Sequence, residues 1–131
     1  SGRTALMIAA YFGNFEVVRM LIAEGADVNA TDKSGSTALL DAAASGHLTV
    51  ATTLIRRGAD INAQNQAGRS SLMEAAAGGN HELVALLVRR RADVNLVDRN
   101  NNNALGEAMG GEYKKTIELL QKAGAEEPAS N

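Results

Sequence analysis

Cysteine and tryptophan are absent from this 131-residue chain, proline occurs once, and the aromatics are two tyrosines and two phenylalanines. Without cysteine there is no disulfide framework, no thiolate metal site and no cysteine nucleophile. The same absence fits a reducing compartment, and a cytoplasmic location is expected. With 45% hydrophobic but only 3% aromatic residues, the core has to be built from Leu, Ala, Val and Ile. The small and unbranched ones among these suit closely packed short helices. No apolar run approaches the roughly 20 residues needed to cross a bilayer, and no signal-peptide pattern opens at Ser1. Thirteen Lys and Arg against fifteen Asp and Glu leave a formal net charge of −2. That balance gives no bulk attraction to nucleic acid or to an anionic membrane, so neither is expected as a partner.

What the chain does have is a period. Gly2, Gly35, Gly68 and Asn101 are spaced by 33 residues, and Leu6, Leu39, Leu72 and Leu105 recur in step with them. So do Ala9, Ala42, Ala75 and Ala108, and Leu21, Leu54, Leu87 and Leu120. A fixed period of this length marks a stacked array in which no unit buries its own apolar face alone. The segment 32–64 reads most clearly. Asp32-Lys33-Ser34-Gly35 is a turn, with Asp to bond local backbone and Gly to take positive φ. Thr37 is placed as a helix N-cap, followed by Leu39, Ala42 and Ala43 at helical spacing. Gly46 breaks that helix in left-handed conformation, and a second helix is predicted from Leu48 to Arg57, ended by Gly58. Residues 59–63 lead into the next turn.

These residues resemble the ankyrin-repeat family. Its G-x-T-P-L-H-x-A-A element stands here as Gly2-Arg3-Thr4-Ala5-Leu6-Met7-Ile8-Ala9-Ala10 and as Gly35-Ser36-Thr37-Ala38-Leu39-Leu40-Asp41-Ala42-Ala43. Its G-A-D-V-N-A element stands as Gly25-Ala26-Asp27-Val28-Asn29-Ala30 and Gly58-Ala59-Asp60-Ile61-Asn62-Ala63. The resemblance covers essentially the whole chain and implies an all-α repeat solenoid of four stacked ankyrin repeats, residues 1–31, 32–64, 65–97 and 98–127, with 128–131 a frayed tail. The proline and histidine of T-P-L-H are missing from every unit, which sacrifices some preorganisation of the helix start. Arg91 stands where Gly25 and Gly58 end the second helix of their units. Asn101-Asn102-Asn103 replaces the Gly-x-Thr of the fourth turn, and asparagine both tolerates left-handed geometry and caps helices.

The two ends read differently. Gln121 replaces Ile22, Ile55 and Val88, and Glu126-Glu127 replaces Asp-Val, so the fourth unit reads as a polar carboxyl-terminal cap. The first unit opens directly at its Gly-x-Thr element and carries Met7, Ile8, Tyr11, Phe12, Phe15 and Met20. Two readings compete for it: upstream repeats outside this chain, which is favoured, or cover by a partner or by another copy of a chain otherwise expected to be monomeric.

In the family, turn tips and first-helix surfaces line a concave groove that receives partners. The resemblance therefore implies partner-facing positions at Arg3, at Lys33, Ser34 and Ser36, at Gln66 and Arg69, and at Arg99, Asn100 and Asn102. It also implies them at Tyr11 and Phe12, and at Ser45, on the exposed ends of first helices. Tyr11 and Phe12 are the expected hot spot, because aromatics bury much area at low entropy cost; Phe15 is read as core packing. Arg3, Lys33, Arg69 and Arg99 form a candidate basic row that would select an acidic partner segment, against the plainer reading of a solvated surface. Asp41, Glu74 and Glu107 recur on three first helices and read as structural. Arg56-Arg57 and Arg89-Arg90-Arg91 at two second-helix ends read as complements to the helix dipole. The period assigns Asp27, Asp60 and Asp93, with Asn29, Asn62 and Asn95, to loop backbone bonding rather than to metal or catalysis. His47 and His81 lie in different units and make neither a metal cluster nor a triad. Gly78-Gly79 lacks the Lys-Ser/Thr of a phosphate loop. The expected function is a non-catalytic scaffold binding a protein or peptide partner, with no cofactor; the alternative is a regulatory or targeting segment of a larger protein, enzymatic or not, with upstream repeats or a domain outside this chain.

Overall fold

The computed structural model describes residues 1–128. Among these it forms four helix pairs: α1 (Ala5–Tyr11) with α2 (Phe15–Ala23), α3 (Ala38–Ser45) with α4 (Leu48–Arg56), α5 (Ser71–Ala77) with α6 (His81–Arg89), and α7 (Ala104–Gly110) with α8 (Lys114–Lys122). First helices stack on first helices, α1 on α3 on α5 on α7, and second helices stack likewise. The result is the all-α repeat solenoid that the resemblance implies.

Each first helix begins at the same kind of cap. Thr4, Thr37, Ser70 and Asn103 have extended backbone, and their side-chain oxygens accept the amides of Met7, Leu40, Met73 and Gly106. Such a cap contributes about 1 kcal/mol, and asparagine does in the fourth repeat what a hydroxyl does in the others. Asn14 and Asn80 cap α2 and α6 in the same way. His47 and Tyr113 stand at this position in the other two repeats without a cap bond; they reach back instead. His47 Nε2 meets the Tyr11 carbonyl at 3.0 Å, and the Tyr113 ring lies so close to Gly79 that a Cβ there would be 2.6 Å from it.

The chain turns left-handed at three places in every repeat, and the turns recur in register. Nine of these positions are glycine; the exceptions are Arg91 (φ 66°), Asn101 (φ 60°) and Glu112 (φ 58°). Arg91 thus does adopt the strained conformation, at about 1 kcal/mol relative to glycine. Glu112 is an exception the sequence did not flag, because the family's helix-breaking glycine has a glycine neighbour, Gly111, that disguises the register.

The burial pattern follows from stacking. Leu54, Leu87 and Leu120 are fully buried, whereas their counterpart Leu21 is only partly so. This position faces the preceding helix pair, and among the described residues no helix pair precedes α1 and α2. Val18, Ala51 and Val84 are fully buried and their counterpart Ile117 only partly, since that position faces the following pair. Phe15 packs against the core as expected.

The recurring Asp-x-Asn loops form a ladder. Asp27, Asp60 and Asp93 accept the amides of Asn29, Asn62 and Asn95. Those asparagines in turn accept the amides of Asp60, Asp93 and Glu126 in the next loop. Glu126 therefore continues the ladder rather than interrupting it. The chain after α8 stays close to α7 as far as Pro128, the first residue of the expected tail. Asn103 Nδ2 donates to the Glu126 carbonyl at 2.7 Å, and Pro128 Cγ lies 3.3 Å from where a Cβ on Gly106 would stand. Gly106 occupies the place of the buried Met7, Leu40 and Met73, so a proline ring sits over the outward side of α7. The remainder of the expected tail, 129–131, lies outside the described residues.

Candidate partner-binding surface

The turn tips and the exposed ends of α1, α3, α5 and α7 carry the residues expected to meet a partner. The tips are built by one repeated device. Asp32 Oδ1 accepts the amides of Ser34 and Ser36, Asn65 Oδ1 those of Ala67 and Arg69, and Asp98 Oδ1 those of Asn100 and Asn102. Backbone bonds then link tip to tip, from Lys33 to Ser1, Gln66 to Ser34 and Arg99 to Ala67. Gln66 Nε2 adds a bond to the Lys33 carbonyl at 2.7 Å, and the Ser34 hydroxyl donates to Asp32. Ser34, Gln66 and Asn100 thus contribute to the turns themselves, and Ser45 is half-buried at the end of α3.

The candidate basic row does not form one free line of charge. Lys33 and Arg99 share one position of the repeat, are exposed, and form no ion pair among the described residues. Arg3 and Arg69 share another and reach forward into the next repeat. Arg3 donates to Asp32 at 3.0 Å and Asp41 at 2.9 Å. Arg69 donates to Glu74 at 2.7 Å and to Asp98 and Glu107 at 3.1 Å each. The second and fourth repeats have Ser36 and Asn102 at this position, and their side chains bond Asp41 and Glu107. The turn residue ahead of Ser36 is correspondingly the neutral Asn65, whereas those ahead of Arg3 and Arg69 are Asp32 and Asp98. An aspartate spends one oxygen on the turn and keeps the other for a guanidinium. Asp41, Glu74 and Glu107 are therefore members of these networks, in keeping with their structural reading.

The networks shift the carboxyls in different directions. The Ser34 hydroxyl, with the amides of Ser34 and Ser36 and with Arg3, holds Asp32 below the usual carboxylate range. Burial pushes Asp98 up, but the Asn102 and Asn100 amides and Arg69 outweigh it and leave the group lowered. At Asp41 burial prevails over Arg3, and the carboxyl is raised. Burial alone would weaken the two guanidiniums, yet the carboxylates around them hold both more firmly protonated than usual.

The first repeat departs from this polar pattern. Ile8 stands where the others have Asp41, Glu74 and Glu107, so Arg3 lacks the acid of its own helix that Arg69 finds in Glu74. Ile8, Tyr11 and Phe12, with Arg3 and Asp41, line a concavity of about 340 Å³. Tyr11 and Phe12 meet edge to face, with ring centroids 5.2 Å apart and planes at 88°. Phe12 is 71% exposed, the most of any large apolar side chain described. Ile8, at 47% exposed, lines the concavity although the sequence reading did not place it among the partner-facing positions; the signal is its break with an otherwise acidic position. In the second and third repeats the corresponding helix ends are Ala44 with Ser45 and Ala77 with Gly78, which offer no wall.

Comparison with protein families agrees with this architecture. A family model described as ankyrin repeats (3 copies) matches residues 1–65 and again 54–131. The chain belongs to the ankyrin-repeat family. Ankyrin repeats generally mediate protein–protein interaction. A search of curated proteins gave no match. Among the described residues no helix is long and apolar enough to cross a membrane, and no group of His, Asp or Glu is placed to hold a metal ion.

Proposed function

We propose that the chain is a non-catalytic, monomeric binding module that receives a protein or peptide partner along its turn tips and first helices, with Tyr11 and Phe12 as anchor. The observation that carries this reading is the exposed edge-to-face pair on the wall of the Ile8 concavity. Interlocked rings lose little entropy on binding and offer large apolar area. They do so on a protein whose other first-helix ends are small. Replacing both by alanine is expected to weaken partner binding tenfold or more, about 1.4 kcal/mol, while the thermal midpoint stays within a degree or two. Titration of the partner, once recovered by affinity capture, against both proteins measures this; unchanged affinity would sink the proposal.

The exposed Ile8, Phe12 and Met20 also favour a second reading, in which this array regulates or targets a larger protein and that surface is covered within it or by another copy. Light scattering at rising concentration separates the two: a dimer lost in the Tyr11→Ala/Phe12→Ala variant supports cover by a second copy, and a strict monomer supports the open groove.

A further inference from the structure

We propose that the ends of α4 and α6 form a second interaction surface, which takes an acidic polypeptide segment independently of the groove. Arg56 and Arg57 close α4, and Arg89, Arg90 and Arg91 close α6, the helix packed beside it. With Lys122 at the end of α8, six of the chain's 13 Lys and Arg gather on one edge of a protein whose net charge is −2. All six are exposed and form no ion pair among the described residues. Asp60 and Asp93, in the loops that follow, are the nearest acids in the chain, and each spends an oxygen on its own loop through Asn62 or Asn95. Glu82 shares a concavity with Arg89, and Glu16, beside Arg57, is paired with Arg19, so five guanidiniums against three carboxylates without an ion pair among the described residues leave this edge locally positive.

The helix dipole accounts for a cation in the last turn, as at Arg56 and Arg89. It does not account for Arg91, which lies beyond the helix at φ 66°, where the other three repeats have Gly25, Gly58 and Gly124. An arginine there strains the backbone, and its side chain gains no bond among the described residues. A residue held against its own conformational preference, without internal return, is where an external contact is to be sought. The occupant is an acidic protein segment rather than a nucleic acid, because among the described residues the edge has no aromatic on which a base could stack, and rather than a membrane, because a net charge of −2 gives no bulk attraction to an anionic surface.

The test is fluorescence anisotropy of a labelled Glu/Ser peptide, with a Gln/Ser peptide, a single-stranded oligonucleotide and phosphatidylserine vesicles as comparisons. The Glu/Ser peptide is expected to bind, with affinity falling as salt rises. Arg89→Ser/Arg90→Ser/Arg91→Gly should lower its affinity about tenfold with the helical signal intact. Arg91→Gly alone should lower affinity about threefold while raising the thermal midpoint, a trade that a merely solvated arginine would not show. Lys114→Ser, which removes an exposed cation at the other end of α8, and Tyr11→Ala/Phe12→Ala should leave binding unchanged. The proposal falls if the Gln/Ser peptide binds equally, if the Lys114 variant loses as much as the arginine variant, or if oligonucleotide or vesicles bind more tightly through the same arginines.

Discussion

The first and fourth repeats have the same backbone and opposite surfaces. In the first, α1 exposes Ile8, Tyr11 and Phe12, and Leu21 is half-covered. In the fourth, Glu107, Gly110 and Gly111 stand at the counterparts of Ile8 and the helix end, and residues 126–128 fold back over α7. A repeat's inward positions are set by its neighbours, so they vary little. Its outward positions are set by whatever meets them, and there the two ends diverge. The asymmetry teaches that in a one-dimensional stack the same residue type has a different energetic meaning according to which side is covered.

The sharpest way to test that asymmetry is a matched pair of core truncations. Leu87→Ala, in the interior, is expected to cost about 3 kcal/mol, and Leu21→Ala, at the uncovered counterpart, about 1 kcal/mol. Urea unfolding of both variants measures the gap; equal losses would break the comparison.

The two arginine networks offer a second pair. Arg69→Met leaves three carboxylates without a cation and should cost about 2 kcal/mol, while Arg3→Met leaves two and should cost about 1 kcal/mol. These figures are already reduced for the partial exposure of the network. The networks also set an acid limit. Asp32 and Asp98 are lowered, so their contribution is fully present above the ordinary carboxylate value of 3.8 and is lost as pH falls through their folded values. Asp41 is raised and has the opposite sign: its contribution is present below the ordinary value and is lost as pH rises through its folded one. Thermal melts across that window should show Asp98→Asn flattening the acid loss, and Asp41→Asn gaining stability relative to wild type as pH rises through the window.

Smaller effects bear on the third and fourth repeats. Arg91→Gly should restore the glycine of the other repeats and raise stability by about 1 kcal/mol. Thr116 takes the place of Val17, Val50 and Leu83, and its buried hydroxyl has no hydrogen-bond partner among the described residues. Thr116→Val should therefore stabilise by about 0.5 to 1 kcal/mol, the relief of an unsatisfied polar group. Calorimetry reads both; a destabilised Thr116→Val would mean that the hydroxyl is satisfied.

Much of the fold was legible because it is local and repeated. The capping positions from Thr4 to Asn103, the left-handed glycines and the aspartate–asparagine loops each satisfy a backbone group close by, and the period shows the same solution several times over. The candidate surface was legible only in part. Tyr11 and Phe12 announce themselves by type. The supposed row of Arg3, Lys33, Arg69 and Arg99 combined two positions of the repeat that face differently, and one-dimensional spacing could not tell a tip from a network. Ile8 stands in the sequence only as one of six apolar residues of the first unit, and its place on the wall of the concavity becomes visible once α1 is packed against α3.

The sequence by itself determined the repeat, its caps and turns, and the apolar register, since these depend on residues a few places or one period apart. Only the tertiary structure decided which charges are spent inside the protein and which remain outside. Arg3 and Arg69 are engaged by carboxylates 29 and 38 residues downstream, while Arg56, Arg57 and Arg89 to Arg91 form no ion pair among the described residues. Whether an arginine is free depends on distances of a few ångströms across stacked repeats, and those distances exist only once the chain has folded.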